Sequence, residues 1–186
     1  MTTIADTKIV YDGRSKLLIV TIRTGGRTIE REIEEHGNAA CVLPFDSKRK
    51  MAMLVRQFRA PVFFAARQTV LLEAIAGVIE EPDPAETARR EALEEAGLRL
   101  REVEHVGDFW ASPGVSTEKM ALYLAPYGEA DRVGPGGGTD QDENTEAVEL
   151  RLADLAAMAD DGRLCDMKTL ALVQTLRLRR PDLFGP

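Results

Sequence analysis

Three glutamates fall within five residues in the stretch RREALEEAGL: Glu91, Glu94 and Glu95. On a helix, Glu91 and Glu95 stand four apart on one face, where like charges repel by roughly 0.2–0.5 kcal/mol. Carboxylates are hard oxygen donors, the ligand type that Mg²⁺ and Mn²⁺ select, and a bridging divalent cation would turn that repulsion into attraction. A solvated helix face is the ordinary alternative for so charged a segment.

The flanking residues say how such a helix would be held. Asp83 followed by Pro84, with Glu86 three residues after Asp83, predicts a helix start with an N-cap side chain and a capping-box partner, and Gly97 predicts its stop. Between them Ala85, Ala88, Ala92 and Ala96 recur at spacings of three and four, a narrow small-residue face for close packing that leaves the acids elsewhere. Arg90 is placed to pair with Glu86 and Glu94, whereas Glu91 and Glu95 have no cation one turn before them and project together.

The surrounding pattern predicts mostly strands. KLLIVTIRTGGRTIEREIE alternates on both sides of Gly25-Gly26, which predicts a β-hairpin and makes residues 1–36 a small antiparallel β lobe. AACVLPF, MAMLVRQF, TVLLEAIAG, EVEHVGDFW, KMALYLAPY and EAVELRL predict the strands of a main sheet over residues 37–186, and helices are expected near 152–160 and 166–179. This order of elements indicates an α/β layered or α+β domain. A chain of 186 residues suits one core with an appended lobe, and 44% hydrophobic with 30% charged residues is ordinary for a soluble protein. A net charge of −7 disfavours nucleic-acid partners. No apolar run would cross a membrane and no secretory leader is visible at the N-terminus, so the expected location is cytoplasmic. Cys41 and Cys165 lack metal-ligand spacing and are expected as buried filler in a reducing compartment.

RREALEEAGL, preceded by Gly77 and Asp83, resembles the Nudix box, the signature of a superfamily that hydrolyses nucleoside diphosphates linked to another group. The second half of the box matches at every defined position, while in the first half Asp83 stands for the usual glutamate and one residue is missing before Arg90. LLEAIAG, SPGVSTEK and GGGTDQDE resemble elements of the ADP-ribose and GDP-mannose pyrophosphatase branch, so the likeness spans residues 38–150 and weakly the lobe. The resemblance implies an α+β fold of the α/β/α sandwich type with a mixed sheet, and a homodimer assisted by the N-terminal lobe. It implies Mg²⁺ or Mn²⁺ held by Glu91 and Glu95, with Glu94 auxiliary, the Ala76 carbonyl contributing and Arg90 holding an acid of the box. The expected reaction is cleavage of a nucleoside diphosphate sugar to a nucleoside monophosphate and a sugar phosphate. A catalytically silent module that senses such a ligand is the alternative, disfavoured by retention of Glu91, Glu94 and Glu95.

Other residues keep two readings. By resemblance the acid-bearing loop after the glycines supplies a ligand or base, with Glu143 the aligned candidate and Asp140 and Asp142 behind it; Gln141, where relatives often have glutamate, cannot accept a proton at neutral pH. The same GPGGGTDQDEN is equally a plain polar loop. Arg56 and Arg59 are either solubilising charges or contacts to phosphate or nucleoside, and Glu73, in an apolar strand, faces the site or pairs with a buried arginine. Ser112, Gly114 and Glu118 form a turn that the branch uses beside the diphosphate. His36 and His105 are expected to be structural, and Phe109, Trp110 and the methionines to lie in the core.

Overall fold

The computed structural model describes residues 1–137 and 145–185. These fall into two compact units, one of Met1–Ala39 with Asp108–Met120, the other of Ala40–Gly107 with the chain from Ala121 onward.

In the first unit, β1 (Thr3–Asp12), β2 (Lys16–Thr24) and β3 (Arg27–Glu35) form an antiparallel sheet in that order. The predicted hairpin is present: Thr24 faces Arg27 across Gly25 and Gly26, whose φ values of 55° and 75° suit glycine in a two-residue turn. The unit extends beyond residues 1–36 because Glu34 N–H donates to Val115 O at 2.8 Å and Thr117 N–H to Glu34 O at 3.0 Å, adding a segment from far along the chain. Trp110 (55% exposed) lines a cavity of about 650 Å³ here with Ile22, Ile33 and Val115, under a cation–π contact from Lys119. Phe109 is also exposed, so the expectation that these two aromatics fill the core is overturned. His36 sits between Glu34 and Glu118.

The larger sheet runs in the order β10 (Glu146–Arg151), β5 (Met51–Gln57), β4 (Ala39–Asp46), β9 (Lys119–Pro126), β8 (Glu104–Trp110), with β6 (Leu71–Glu73) on β5 and β7 (Ile75–Val78) on β4. TVLLEAIAG, expected as one strand, breaks at Ala74, whose N–H leaves the ladder and donates to Thr169 Oγ1 at 2.6 Å. The helices are α1 (Ala60–Ala66), α2 (Pro84–Ala96), α3 (Leu152–Asp160) and α4 (Met167–Arg179). The last three were expected, whereas α1 was not; it buries no residue and carries Pro61 in its first turn, the proline that was its only local signal.

Alternation along the strands divides the core between two faces. Val42, Met53, Val55, Ile75 and Tyr123 pack with Ala88, Ala92 and Ala96 of α2, so the small-residue face is buried as predicted. Leu43 and Leu54 point the other way, and α3 and α4 bury Leu152, Leu155, Leu172 and Leu176. Cys41 is buried but Cys165 is exposed, correcting its reading as filler. Met53 is buried and Met167 exposed. His105 stacks at 5.3 Å on Tyr123.

Candidate active site

Helix α2 is closed by local chemistry at both ends. Asp83 accepts from Ala85 N–H at 3.0 Å, and at the other end Gly97 (φ 63°) and Leu98 donate to Leu93 O and Ala92 O at 3.0 and 2.9 Å, a Schellman stop. Glu86 binds Arg89 at 2.6 Å, not Arg90. Arg90 is the hub of the acidic face, with contacts of 3.0 Å to Glu81, 2.9 Å to Glu91 and 3.0 Å to Glu94. Two sequence readings change here. Glu91 does have a cation, from its neighbour and not from the preceding turn. The box acid that Arg90 grips is Glu81, which also accepts from Thr87 Oγ1 at 2.5 Å, while Asp83 serves only as the cap. The Thr87 hydroxyl and then Arg90 hold the Glu81 carboxyl below its ordinary range.

Glu91 lies in a slot that only glycine leaves open. A Cβ at Gly77 would stand 1.8 Å from Glu91 Oε1 and 2.1 Å from its Cδ, so this carboxylate rests directly on the β7 backbone beside Ala76. Glu95, one turn on, is 4% exposed. Its backbone carbonyl accepts from Gly137 N–H at 2.8 Å, and a Cβ at Gly136 (φ 71°) would strike the same oxygen at 2.4 Å. The glycines of the loop thus let its backbone press against the end of α2, as Gly25 and Gly26 let theirs turn. Glu143, Asp140, Asp142 and Gln141 lie outside the described residues.

Glu73 ends β6 with only 2% exposure and is bound on two sides. Arg59 donates to it at 2.7 and 3.1 Å, and Lys168 Nζ makes a close ion pair with it. Burial pushes the Glu73 carboxyl up, but the Arg59 bonds and the Lys168 charge outweigh burial and hold it below the ordinary range. For Lys168 burial pulls down, and Glu73 and Asp166 together raise it. Asp166, the N-cap of α4, bonds Lys168 at 2.9 Å and Thr169 N–H at 3.0 Å, and Thr169 in turn holds Ala74. The arginine that Glu73 pairs with is half-exposed and not buried, and the charge of Glu95 also acts on it. Lys168, Asp166 and Thr169 were missed by sequence reasoning. Their one local signal was Asp166 as a helix cap, which says nothing of a partner ninety-five residues away.

Arg56 is not brought to this side. Alternation turns it to the α3 face, where it lines a cavity of about 380 Å³ with Leu72, Met158 and Cys165, and it stands 3.9 Å from Glu146. Ser112, Gly114 and Glu118 belong to the first unit: Ser112 O accepts from Val115 and Ser116, and Glu118 N–H donates to Ser116 Oγ at 3.1 Å.

Residues 35–171 match the family model for the NUDIX domain. The chain belongs to the Nudix family. Curated Nudix relatives include a GDP-mannose pyrophosphatase of Pectobacterium atrosepticum, 37% identical over 80% of this chain and 77% of the relative, and one of Salmonella arizonae, 33% identical over 95% of each. The fold is also that of a solved structure described as an ADP compounds hydrolase, with a TM-score of 0.77, 18% identity and coverage of 97% of this chain and 95% of the other.

Nudix hydrolases work with divalent cations, and the donor set here can be tested against one. Among the described residues no group of three or more His, Cys, Asp or Glu side chains is gathered as a metal cage. Mg²⁺ is commonly held by one or two carboxylates and completes its shell from substrate and water. Glu91 in its glycine slot and Glu95 one turn on are the two carboxylates that would hold such an ion, and the carbonyl of Ala76 lies next to Gly77 in the chain. Glu94, bonded to Arg90, is drawn toward the guanidinium.

Proposed function

We propose that the chain hydrolyses the phosphoanhydride of a nucleoside diphosphate sugar of the GDP-mannose or ADP-ribose type, yielding a nucleoside monophosphate and a sugar phosphate, with Mg²⁺ or Mn²⁺ as cofactor. The observation that carries this reading is the Glu91 carboxylate seated on Gly77 with Glu95 one turn away on the same helix. The names of the relatives support the substrate class.

Glu91, Glu95 and the Ala76 carbonyl are assigned as the metal ligands, with Glu94 at their margin. A divalent cation, when bound, supplies neutralisation of diphosphate charge and acidification of a water. Arg90 fixes the outer acids and keeps them from dispersing into solvent. Arg59, oriented by Glu73, presents a fixed positive charge toward the Glu95 side of the site for a phosphate oxygen. Glu143 remains the assigned base, and Ser112, Gly114 and Glu118 the assigned diphosphate loop. The exposed strand β1, with Ile4, Ile9, Val10 and Tyr11 all solvent-facing, supports a homodimer through the N-terminal lobe.

The deciding experiment incubates the protein with GDP-mannose, ADP-ribose and nucleoside triphosphates, with Mg²⁺, with Mn²⁺ and with EDTA. Release of a nucleoside monophosphate from a diphosphate sugar, abolished by EDTA, is expected. Turnover of triphosphates alone, or of nothing, would reject the reading.

A further inference from the structure

Two buried polar groups near the end of α2 have no hydrogen-bond partner among the described residues: Gln57 Nε2, on a side chain 7% exposed, and Thr145 Oγ1, on one 8% exposed. The strand register brings them together. β10 pairs with β5 antiparallel, and the last matched pair is Glu146 with Arg56, so one step further Thr145 stands opposite Gln57. Cross-strand neighbours have Cβ atoms about 4.5–5.5 Å apart. Alternation sets both on the face of Val55 and Ala147, which pack with α2, and turns Arg56 to the opposite face.

Both positions adjoin residues already placed in the site. Two residues past Gln57, Arg59 bonds Glu73 and feels the charge of Glu95. On the other strand, Thr145 O is 3.8 Å from where a Cβ on Gly137 would stand, and Gly137 N–H donates to Glu95 O at 2.8 Å. A buried donor with nothing to donate to lowers stability, so apolar replacement would be favoured at such a position unless something arrives to accept the bond. The amide Nε2 can only donate, and the hydroxyl can donate as well. An acceptor oxygen carrying negative charge satisfies both, and beside Arg59 and Glu95 the ligand class that brings one is a diphosphate.

We propose that Gln57 and Thr145 form a two-donor seat for a non-bridging oxygen of the diphosphate, making them substrate-binding residues of this site. This rests on the proposed function, since it takes the ligand to be a diphosphate.

The test compares wild type with Gln57→Leu, which keeps the size and removes the donor, and with Thr145→Val and its hydroxyl-retaining counterpart Thr145→Ser. GDP-mannose hydrolysis in Mg²⁺ and melting temperature are measured for each. A lost bond to a charged oxygen predicts a fall of about 10- to 100-fold in kcat/KM for Gln57→Leu and for Thr145→Val, with melting temperature unchanged or raised and Thr145→Ser near wild type. If kcat/KM for Gln57→Leu stays within threefold of wild type while the melting temperature rises, the amide is merely a buried polar group and the inference fails. Should Gln57→Leu not fold, Thr145→Val and Thr145→Ser decide by the same margins. If the wild type turns over no diphosphate sugar, the proposed function falls by itself. Calorimetric binding of inorganic pyrophosphate with Mg²⁺, to wild type and Gln57→Leu, then decides the seat: equal affinities, or no binding to either, overturn it.

Discussion

Replacing Gly77 by alanine separates stability from function at the residue where the two meet most closely. The added Cβ would stand 1.8 Å from Glu91 Oε1, 2.1 Å from Cδ and 2.7 Å from Cγ. Ordinary contact begins near 3.5 Å, so the carboxylate must retreat by about 1.5 Å. What yields is the end of a flexible side chain and not backbone, and Gly77 is not among the glycines with positive φ. Rotating Glu91 off its well costs about 0.5–1.5 kcal/mol. Its partly exposed contact with Arg90 is worth under about 1 kcal/mol, and restricting the unfolded chain returns about 0.4–1 kcal/mol. The net change runs from a gain of about 0.5 to a loss of about 2 kcal/mol, a melting shift of no more than about 4–8 °C for a chain of this size. Catalysis is far less forgiving, because a 1 Å misplacement of a catalytic group can cost about 100-fold. We therefore expect Gly77→Ala to melt within about 8 °C of the wild type, to lose about 100-fold in kcat/KM on GDP-mannose and to need more Mg²⁺ for half-activation. Wild-type turnover with an unchanged Mg²⁺ midpoint would refute the reasoning, as would a loss of more than about 3 kcal/mol of stability in urea, which would mean that the backbone and not Glu91 gives way.

Three further outcomes are expected. Glu95→Gln removes a ligand charge without changing volume, so activity should fall by about 100-fold or more with the fold intact by circular dichroism; near-normal turnover would place the metal elsewhere. Gly136→Ala puts a Cβ 2.4 Å from the Glu95 carbonyl at a φ of 71°, so it should cost at least about 2 kcal/mol in urea denaturation, and a neutral result would dissociate the glycine loop from α2. Glu73→Leu leaves Lys168 to Asp166 alone and Arg59 to solvent, and should cost about 1–3 kcal/mol. Because the Glu73 carboxyl is held low, its contribution is complete above its unfolded value near 4.3 and is lost as pH falls through the lower folded value. Lys168 is raised, so its contribution is complete below about 10.4 and is lost as pH rises through the higher folded value. The stability gap between wild type and Glu73→Leu should thus be flat from about pH 5 to pH 10 and narrow on both sides; a gap that peaks outside that window would contradict the ion-pair account.

How far the sequence could be read depended on the range of the interaction. The start and stop of α2 are set by Asp83, Pro84, Gly97 and Leu98 acting within a turn of themselves, and its buried face by four alanines at helical spacing, so all of this was legible. The hairpin at Gly25-Gly26 was legible for the same reason. Which acid Arg90 holds was not. Glu81 and Asp83 both precede the helix, and once Asp83 turns its carboxylate to Ala85 N–H it can no longer reach Arg90. Glu73 announced that it needed a partner but not who it was, since Lys168 arrives from α4. Trp110 and Phe109 misled because aromatic content was read as core, whereas both stand at the end of β8, the last strand of its sheet, and are exposed.

The arrangement of α2 also explains how one helix carries so many carboxylates without unfolding. Each i,i+4 repulsion is worth only a few tenths of a kcal/mol, a figure that a single well-placed guanidinium offsets. Arg90 does so for Glu81, Glu91 and Glu94 at 2.9–3.0 Å. Glu95 is buried, and its charge adds to those that raise Arg59, which Glu73 orients and Lys168 in turn balances. The outer acids are therefore supported by one cation on the helix, and Glu73 by Arg59 and Lys168. Removing Arg90 should loosen Glu81, Glu91 and Glu94, whereas removing Arg59 should act on Glu73 and spare the outer acids.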